Sequence, residues 1–333
     1  MKSTKKNIKI AVVLLLAIIM LMGIFSGCQK KTEEPKEKDK ITIGLVVGYR
    51  RDEYYMDLES RFRQLAAENG WDLFAVDVDF DVPRHVAAIE DYTAKGVDAI
   101  ISNGTASIVS AVEAAVDAGI PVVCYDGSCP SDKVTANVTY DPIADGKAVG
   151  EWAKAYIAEH WPNEEVEVAI LDYPKSAEIC VGRTNAFKAV IETIPNAKIV
   201  AQMDGNASRA DSMAAAETIL EANPNIKLAY GINFDTIAGF YAALEGRNKT
   251  DTVLCSSGSW GEEAINFLVE DHAQYKAFTL MNPWAQAEAA VQAVKDELAN
   301  KEVKYDQEMQ AVTYTAENIG ELDWKHIIEN RNK

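Results

Sequence analysis

The fold is decided by residues 41–78, which read ITIGLVVGYRRDEYYMDLESRFRQLAAENGWDLFAVDV. An apolar, strand-like run at 41–47 precedes a helical pattern at about 54–69, and Gly70 ends that pattern before a second strand-like run at 71–78. Short strands joined by a helix of a dozen residues or more are typical of parallel sheets with crossover helices. The stretch therefore predicts an α/β fold.

The same alternation runs to residue 139 and then restarts, which divides the chain into two similar halves. The second half opens with a long helix predicted at 143–160 and continues with five strand-like runs, at 166–171, 197–203, 226–232, 252–257 and 275–280. One more helix after Pro283 indicates that the chain crosses back to the first half. The remaining pattern predicts a strand at 308–315 and a short helical tail near Trp324. We therefore predict two lobes, each with a doubly wound parallel sheet.

The first 27 residues have the pattern of a secretory signal peptide. Four lysines and no acidic residue accompany an apolar run at 10–25, and the small residues Ser26 and Gly27 follow it. The apolar run is shorter than the roughly twenty residues that a membrane-spanning helix needs. We expect residues 1–27 to be removed and the protein to be exported.

Cys28 follows these small residues directly. The sequence FSGC at 25–28 resembles a bacterial lipobox, with Phe25 where leucine is usual. That resemblance implies lipidation at Cys28 and attachment to the outer face of the cell membrane. Residues 28–40 are charged and lack aromatic side chains, so we expect them to form a flexible tether.

Composition limits the partners and the chemistry. The formal net charge is −18 and becomes −22 when the four lysines of residues 1–27 are removed, so the protein should repel nucleic acid. The other cysteines, Cys124, Cys129, Cys180 and Cys255, form no CxxC pair, and we expect no metal and no cofactor. A disulfide between Cys124 and Cys129 is possible after export, but a buried free thiol is the more common outcome for such residues.

Four landmarks occur in order along residues 41–314. They are DEYY at 52–55 after the first strand, IPVV at 120–123 leading to Asp126, GIN at 231–233 before a helix, and Gly258 after a strand. In this order they resemble the type I periplasmic sugar-binding proteins of the ribose-binding kind. The resemblance implies two lobes joined by a three-crossing hinge, with ligand held in the cleft between them. It assigns 41–141 plus 282–305 to lobe one and 142–281 plus 306–333 to lobe two.

The resemblance also implies ligand contacts at the strand ends of lobe one. Tyr54 and Tyr55 occupy positions where the family stacks aromatic rings on a sugar, Asp52 occupies a polar position, and Asp126 matches the acidic sugar ligand. Each has a local alternative. The tyrosines could pack the first helical turn, Asp52 could cap that helix, and Asp126 could form a turn with Gly127.

Four further candidates follow other strands. Asn103 follows the third strand, and Asn233 matches a family asparagine in lobe two, where an amide can both donate and accept a hydrogen bond. Asp235 follows closely, and Trp260 could enlarge the stacking surface. The alternatives are a turn for Asn103, a helix cap for Asp235 and simple packing for Trp260.

Several positions depart from the ribose type. Gly127 and Val181 stand where arginines are expected, Met281 replaces a hinge glutamine, and Ser256 and Ser257 replace a Phe-Asp pair. Most of the charged clamp for a pentose is therefore expected to be absent. A different sugar, a nucleoside-like ring or a signalling furanose would also fit such a cleft.

The function implied is that of a monomeric extracytoplasmic solute-binding lipoprotein, which closes on a small polar ligand, a sugar first of all, and delivers it to an ABC transporter permease. Enzyme signatures such as HExxH, GxSxG and GxxxxGK[ST] are absent from the sequence, so we expect no catalysis. The alternatives are a sensory receptor that presents its ligand to a signalling partner and a binder of a nucleoside-like ligand. A transcriptional regulator is excluded because no basic helix-turn-helix segment precedes residue 41.

Overall fold

Two six-stranded sheets organise the protein in its computed structural model, which describes residues 40–175, 179–270 and 274–331. The predicted signal peptide, the lipidation site Cys28 and the tether up to residue 39 lie outside the described residues. Residues Ile41–Lys333 form one compact unit. Within the described part of the chain, no helix combines the length and the apolar character that crossing a membrane would require.

The elements alternate along the chain as the sequence predicts. Up to the first hinge they are β1 (Thr42–Val47), α1 (Glu53–Glu68), β2 (Asp72–Asp77), α2 (Val82–Lys95), β3 (Ala99–Asn103), α3 (Val109–Asp117), β4 (Val122–Asp126) and β5 (Ala136–Tyr140). The second half contains α4 (Pro142–His160), β6 (Val166–Asp172), α5 (Cys180–Ile191), β7 (Ala197–Asp204), α6 (Arg209–Ala222), β8 (Ile226–Gly231), α7 (Phe234–Gly246), β9 (Val253–Ser259), α8 (Glu262–Val269) and β10 (Tyr275–Leu280). The chain then continues through α9 (Pro283–Leu298), β11 (Asp306–Met309), β12 (Val312–Tyr314) and α10 (Trp324–Glu329).

The strand order confirms two doubly wound lobes. The first sheet has the order β11-β5-β4-β3-β1-β2 with every pair parallel, and we call the part built on it lobe one. The second sheet has the order β12-β10-β9-β8-β6-β7 and forms lobe two, where only the β10–β12 pair is antiparallel. In both sheets the order reverses next to the first strand of the half, which opens a crevice at the carboxyl ends of the strands.

Local sequence explains where helices begin and end. Helix α2 starts after Asp81, whose side chain accepts a hydrogen bond from the Arg84 amide at 2.9 Å, and Pro83 occupies its first turn. It ends at Gly96, which has a φ of 64° in the left-handed region. Gly70, which has a φ of 69°, lies just after the end of α1 in the same way, so the glycine stop predicted there is confirmed.

The region between residues 306 and 314 corrects the predicted lobe boundary. We expected one strand at 308–315 and placed residues 306 onward in lobe two. Instead β11 pairs with β5 in lobe one, and β12 pairs with β10 in lobe two. The third hinge crossing therefore lies between Met309 and Val312, because the two short strands hydrogen-bond to different sheets.

The end of the chain also differs from the predicted assignment to lobe two. The backbone oxygens of Asn330 and Arg331 accept hydrogen bonds from Gln64 and Ser60 on α1 of lobe one. The Arg331 guanidinium reaches Asp57 on the same helix. These contacts hold the tail against lobe one. Arg331 also supplies the positive charge that stabilises the buried carboxylate of Asp57.

Candidate ligand-binding cleft

The candidate residues of lobe one meet at the carboxyl edge of the first sheet. Asp126 is the last residue of β4, Asn103 is the last residue of β3, and Tyr55 lies in the first turn of α1 after β1. Because β1, β3 and β4 are adjacent parallel strands, their ends lie side by side. Sequence neighbours of three separate strands thus form one polar cluster.

The Asp126 carboxylate is the centre of this cluster. Its Oδ2 accepts hydrogen bonds from the Tyr55 hydroxyl and, at 3.0 Å, from the Asn103 Nδ2. Burial raises the pKa of Asp126, and the hydrogen bond from Tyr55, the charge of Arg183 and the bond from Asn103 oppose that rise. Both of these protein donors use Oδ2.

Asp126 has a φ of 63°, in the left-handed region. Aspartate tolerates this conformation better than most side chains. The backbone therefore turns sharply at this residue. The sequence offers a turn and a ligand contact as alternatives for Asp126. Its backbone forms the turn, and its carboxylate can still serve as a ligand contact.

Tyr54 is packed more deeply than Tyr55. Its hydroxyl donates to Gln286 Oε1 on α9, and the Gln286 Nε2 in turn donates to the Val138 carbonyl at 2.9 Å. The rings of Tyr54 and Tyr55 meet edge to face at 5.2 Å between centroids. The structure therefore uses Tyr54 to tie α1 to α9, and Tyr55 is the tyrosine that contacts Asp126.

Phe80 adds an aromatic surface that sequence reasoning missed. Its ring stacks on Tyr49 at 5.8 Å and meets Tyr55 edge on at 5.5 Å, yet the residue remains 54% exposed. Its φ of 51° is uncommon for an aromatic residue and tends to mark a functional constraint. A single phenylalanine in the loop after β2 gave no periodic signal by which to find it.

Asp52 caps α1, and acidic groups of both lobes influence its pKa. Its carboxylate accepts a hydrogen bond from the Tyr54 amide at 2.8 Å, so the alternative of a helix cap is confirmed. Although Asp52 keeps a water-exposed surface, desolvation by its surroundings raises its pKa to about 6, and the charges of Asp235, Asp126 and Glu53 add to the rise.

Lobe two contains a buried ion pair between Arg183 and Asp145. The Arg183 Nε and the Asp145 Oδ2 lie 2.6 Å apart, and both side chains are buried. The two atoms make a charge contact and not an aligned hydrogen bond. Asp145 also accepts a bond from the Thr279 hydroxyl, and the Arg183 NH2 lies 3.0 Å from the Met281 sulfur.

Gly258 is required beneath this pair. A Cβ atom at residue 258 would lie 2.3 Å from the Arg183 guanidinium, and the residue has a φ of 47°. Its amide donates to the Thr279 hydroxyl at 3.0 Å. The landmark glycine of the sequence therefore marks the place where the backbone of β9 touches the guanidinium.

Arg183 is a buried arginine of lobe two that sequence reasoning did not single out. The sequence comparison placed Val181 where the family has a lobe-two arginine, and the buried guanidinium lies two residues later, in α5. Its positive charge reaches Asp126 of lobe one, whose pKa it lowers. Arg183 is therefore a candidate for a charged ligand contact from lobe two.

Asn233 and Asp235 take positions at the start of α7. The Asn233 Oδ1 accepts the Thr236 amide at 3.0 Å in a capping box, so only its amide nitrogen remains for a ligand. Asp235 is exposed and pairs with Arg209 at 3.1 Å. We conclude that Asn233 caps the helix at the crevice and that Asp235 lies in a surface ion pair.

Trp260 does not present a free stacking surface. Its indole N–H donates to the Asp57 Oδ2 of lobe one at 2.7 Å, and the residue is only 9% exposed. The alternative that this tryptophan serves packing fits the structure better than a ligand contact. A packing role is therefore the one that these contacts support for Trp260.

The cysteines and the possible metal ligands of the described residues complete the description of the site. Cys124, Cys129, Cys180 and Cys255 are buried free thiols, without the Cys124–Cys129 disulfide considered from the sequence. Among residues 40–175, 179–270 and 274–331, no group of three or more His, Cys, Asp or Glu side chains could hold a metal ion.

Comparison with known proteins places the chain in a family. Residues 43–302 match the family model described as a periplasmic binding protein domain, and the chain belongs to that family. It is 25% identical to the ribose import binding protein of Bacillus subtilis over 90% of this chain and 95% of the relative. It is 28% identical to the D-apiose import binding protein of Actinobacillus succinogenes, over 70% of this chain and 74% of that protein.

A solved structure agrees with the fold. An ABC transporter solute-binding protein of Actinobacillus succinogenes with bound D-allose superimposes with a TM-score of 0.78, at 20% identity, over 85% of this chain and all of the other. Membership in a family of binding proteins sets aside the enzyme alternative, and the two-lobed architecture is the one that the sequence predicted.

Proposed function

We propose that this protein is an extracytoplasmic solute-binding protein that closes on a sugar and delivers it to an ABC transporter permease. The main support for the proposal is the Asp126–Tyr55–Asn103 cluster of lobe one. The positive charge of the buried Arg183 in lobe two interacts electrostatically with the Asp126 carboxylate. Ribose, D-apiose and D-allose appear in the names of the similar proteins. Those names support a sugar as the class of ligand.

The cluster has the chemistry that a sugar requires. A carboxylate oxygen is a strong acceptor for hydroxyl donors, and the Asp126 Oδ1 makes no contact with the two groups that hold Oδ2. The exposed ring of Phe80 beside Tyr55 offers an apolar plate for the C–H face of a sugar ring. Hydroxyl recognition and ring stacking are therefore available on adjacent elements of lobe one.

Lobe two would complete the site when the lobes close. Arg183 is positioned by Asp145 and by the Gly258 backbone, so its guanidinium loses little freedom on meeting a ligand oxygen. The amide nitrogen of Asn233 would add a second donor. A ligand held by groups of both lobes favours the closed form by its differential affinity for that form.

Membrane attachment is a separate part of the proposal. The lipobox-like sequence at 25–28 and the charged tether after it support export and lipidation of Cys28, with a monomeric body outside the cell membrane. Replacement Cys28→Ser should release the protein from the membrane fraction. Retention of that variant on membranes would contradict the anchor.

A thermal-shift screen tests the sugar proposal. The chain from residue 28, carrying Cys28→Ser, would be melted with pentoses, hexoses, disaccharides, polyols, nucleosides and amino acids. A ligand present at one hundred times its dissociation constant stabilises the folded state by about 2.7 kcal/mol. We expect at least one sugar to raise the melting temperature. Shifts confined to nucleosides or amino acids, or no shift at all, would contradict the proposal.

A further inference from the structure

Trp260 and Asp57 join the two lobes outside the polar cluster around Asp126. Trp260 follows β9 in lobe two, and Asp57 lies on α1 in lobe one. The indole Nε1 donates to the Asp57 Oδ2 at 2.7 Å. Asp57 has no exposed surface, so this contact is a hydrogen bond to a fully buried carboxylate.

Arg331 supplies the positive charge that Asp57 needs. Its Nε donates to the Asp57 Oδ1 and its NH2 donates to the Asp57 Oδ2 at 2.8 Å, which makes a two-bonded pair. The hydrogen bond to Asp57 is the main cause of a raised pKa for Arg331. The same carboxylate thus serves the tail of the chain and the opposite lobe together.

The backbone around Arg331 is itself held in place. The Arg331 carbonyl accepts a bond from the Ser60 hydroxyl, and the Asn330 carbonyl accepts the Gln64 Nε2 at 2.9 Å. Both donors lie on α1, the helix that carries Asp57. The arginine is therefore fixed to lobe one, and the bond from Trp260 joins its partner Asp57 to lobe two.

A second bond crosses between the lobes nearby. The Glu262 amide, in the first turn of α8, donates to the Glu53 Oε2 at 2.9 Å, and the Arg331 NH1 lies 3.7 Å from the Glu53 Oε1. Arg331 therefore lies beside both acceptors that lobe one offers to lobe two. Its charge keeps two carboxylates together where they would otherwise repel each other.

We propose that Asp57, Trp260 and Arg331 are positioning residues that hold the two lobes together and thereby raise ligand affinity without touching the ligand. We call these three side chains the interlobe latch. Its hydrogen bond from Trp260 exists only while the lobes are in contact, so it favours the closed form over the open form. A ligand that binds the closed form benefits from every contact that raises the population of that form. The affinity part of this inference rests on the proposed function.

Two variants remove the latch from opposite ends. Trp260→Phe removes the indole N–H and keeps an aromatic ring, and Arg331→Ala removes the counter-ion of Asp57. Matched controls are Trp152→Phe, a half-buried tryptophan on α4 of lobe two, and Arg84→Ala, an exposed arginine on α2 of lobe one. Isothermal titration with D-ribose and D-allose gives affinity, and small-angle scattering without sugar gives the radius of gyration.

The latch predicts a specific pattern of results. Both latch variants should weaken binding of whichever probe sugar the parent protein binds by about 5- to 50-fold, mainly through faster dissociation. They should also increase the radius of gyration without sugar. Arg331→Lys, which keeps the charge and loses the two-bonded geometry, should restore part of the affinity. The two controls should match the parent protein in both measurements.

Two other outcomes separate this inference from the proposed function. If the latch variants only lower the melting temperature, and leave affinity and radius of gyration unchanged, the three residues are structural and the inference is wrong. If the parent protein binds no sugar, the proposed function fails, and scattering alone then decides. An unchanged radius of gyration in both latch variants would overturn the latch in that case too.

Discussion

The two lobes build their halves of the crevice in different ways. Lobe one uses residues at strand ends, where Asp126, Tyr55 and Asn103 are already bonded to one another. Lobe two uses Arg183, which lies within a helix and is held by Asp145 and by the Gly258 backbone. Lobe one thus combines a bonded polar cluster with the exposed ring of Phe80, whereas lobe two contributes a buried charge. Residues of lobe one could therefore be named from sequence, whereas Arg183 of lobe two became visible only through its packing.

The largest effect should follow from removing the buried charge of lobe two. Arg183→Met leaves the Asp145 carboxylate buried without a counter-ion, which costs about 3–5 kcal/mol of folding stability. Urea unfolding would measure the loss. The control Arg209→Met removes an exposed arginine that pairs with Asp235 and Glu263, and we expect it to cost less than about 1 kcal/mol. Equal losses in both variants would contradict the account of lobe two.

Removing the acceptor of lobe one should affect binding and leave the fold intact. Asp126→Asn keeps a side chain that tolerates the positive φ and removes the negative charge. We expect about a hundredfold loss of sugar affinity by isothermal titration, since hydroxyl donors lose a charged acceptor. Asp91→Asn, in an exposed i,i+4 pair with Lys95, is the matched control and should bind normally. Unaltered binding by Asp126→Asn would remove Asp126 from the site.

Gly258→Ala tests whether stability and sugar binding both depend on the close packing of Arg183 against residue 258. In Gly258→Ala the new Cβ would meet the Arg183 guanidinium at 2.3 Å on a backbone with positive φ. We expect a loss of about 1–3 kcal/mol in stability together with weaker sugar binding. Gly246→Ala is the control, because a Cβ there meets nothing within 4 Å. If Gly258→Ala melted and bound like the control, the close packing of Arg183 would be refuted.

The smallest effect concerns pH. Desolvation by the surrounding protein and neighbouring charges raise the pKa of Asp52 to about 6 from an ordinary value of 3.8, so the folded state holds its proton more strongly than the unfolded chain. This contribution to stability is present at acid pH and is lost as the pH rises through about 6. Because Asp52 is water-exposed, we expect less than about 1 kcal/mol.

Asp52→Asn, which still caps α1, tests this pH effect. The variant should equal the parent protein in melting temperature near pH 4 and exceed it slightly near pH 7.5. A variant that is more stable at pH 4 than at pH 7.5, relative to the parent protein, would reverse the sign and contradict the assignment. Thermal melts in matched buffers across that range provide the measurement.

Much of the fold could be predicted because periodicity and glycine stops are local. The alternation of strands and helices predicted both sheets, and Gly70 lies just after the end of α1 as expected. Residues 306–314 could not be divided correctly, since adjacent strand-forming residues carry no information about which sheet will accept their hydrogen bonds. The position of β11 in lobe one depends on its pairing with β5, which is a tertiary contact.

The candidate site divides in the same way. Tyr55 and Asp126 could be named from the family resemblance, and Asn103 because it lies at the end of a predicted strand. Arg183 and Phe80 could not, because one lies inside a helix and the other in a loop without a periodic pattern. The hydrogen bond of Trp260 to Asp57 could not be predicted either, because the two residues are 203 positions apart in sequence. Only the folded structure brings that pair together.

The most direct test of the central claim is a crystal structure of the chain from residue 28, carrying Cys28→Ser, with the sugar that stabilises it most. We expect the sugar to lie between the lobes. One hydroxyl group should bond to the Asp126 Oδ1, a ring face should lie against Phe80 or Tyr55, and an oxygen should lie within hydrogen-bond distance of Arg183. A sugar bound elsewhere on the protein, or one that contacts neither Asp126 nor Arg183, would contradict the claim.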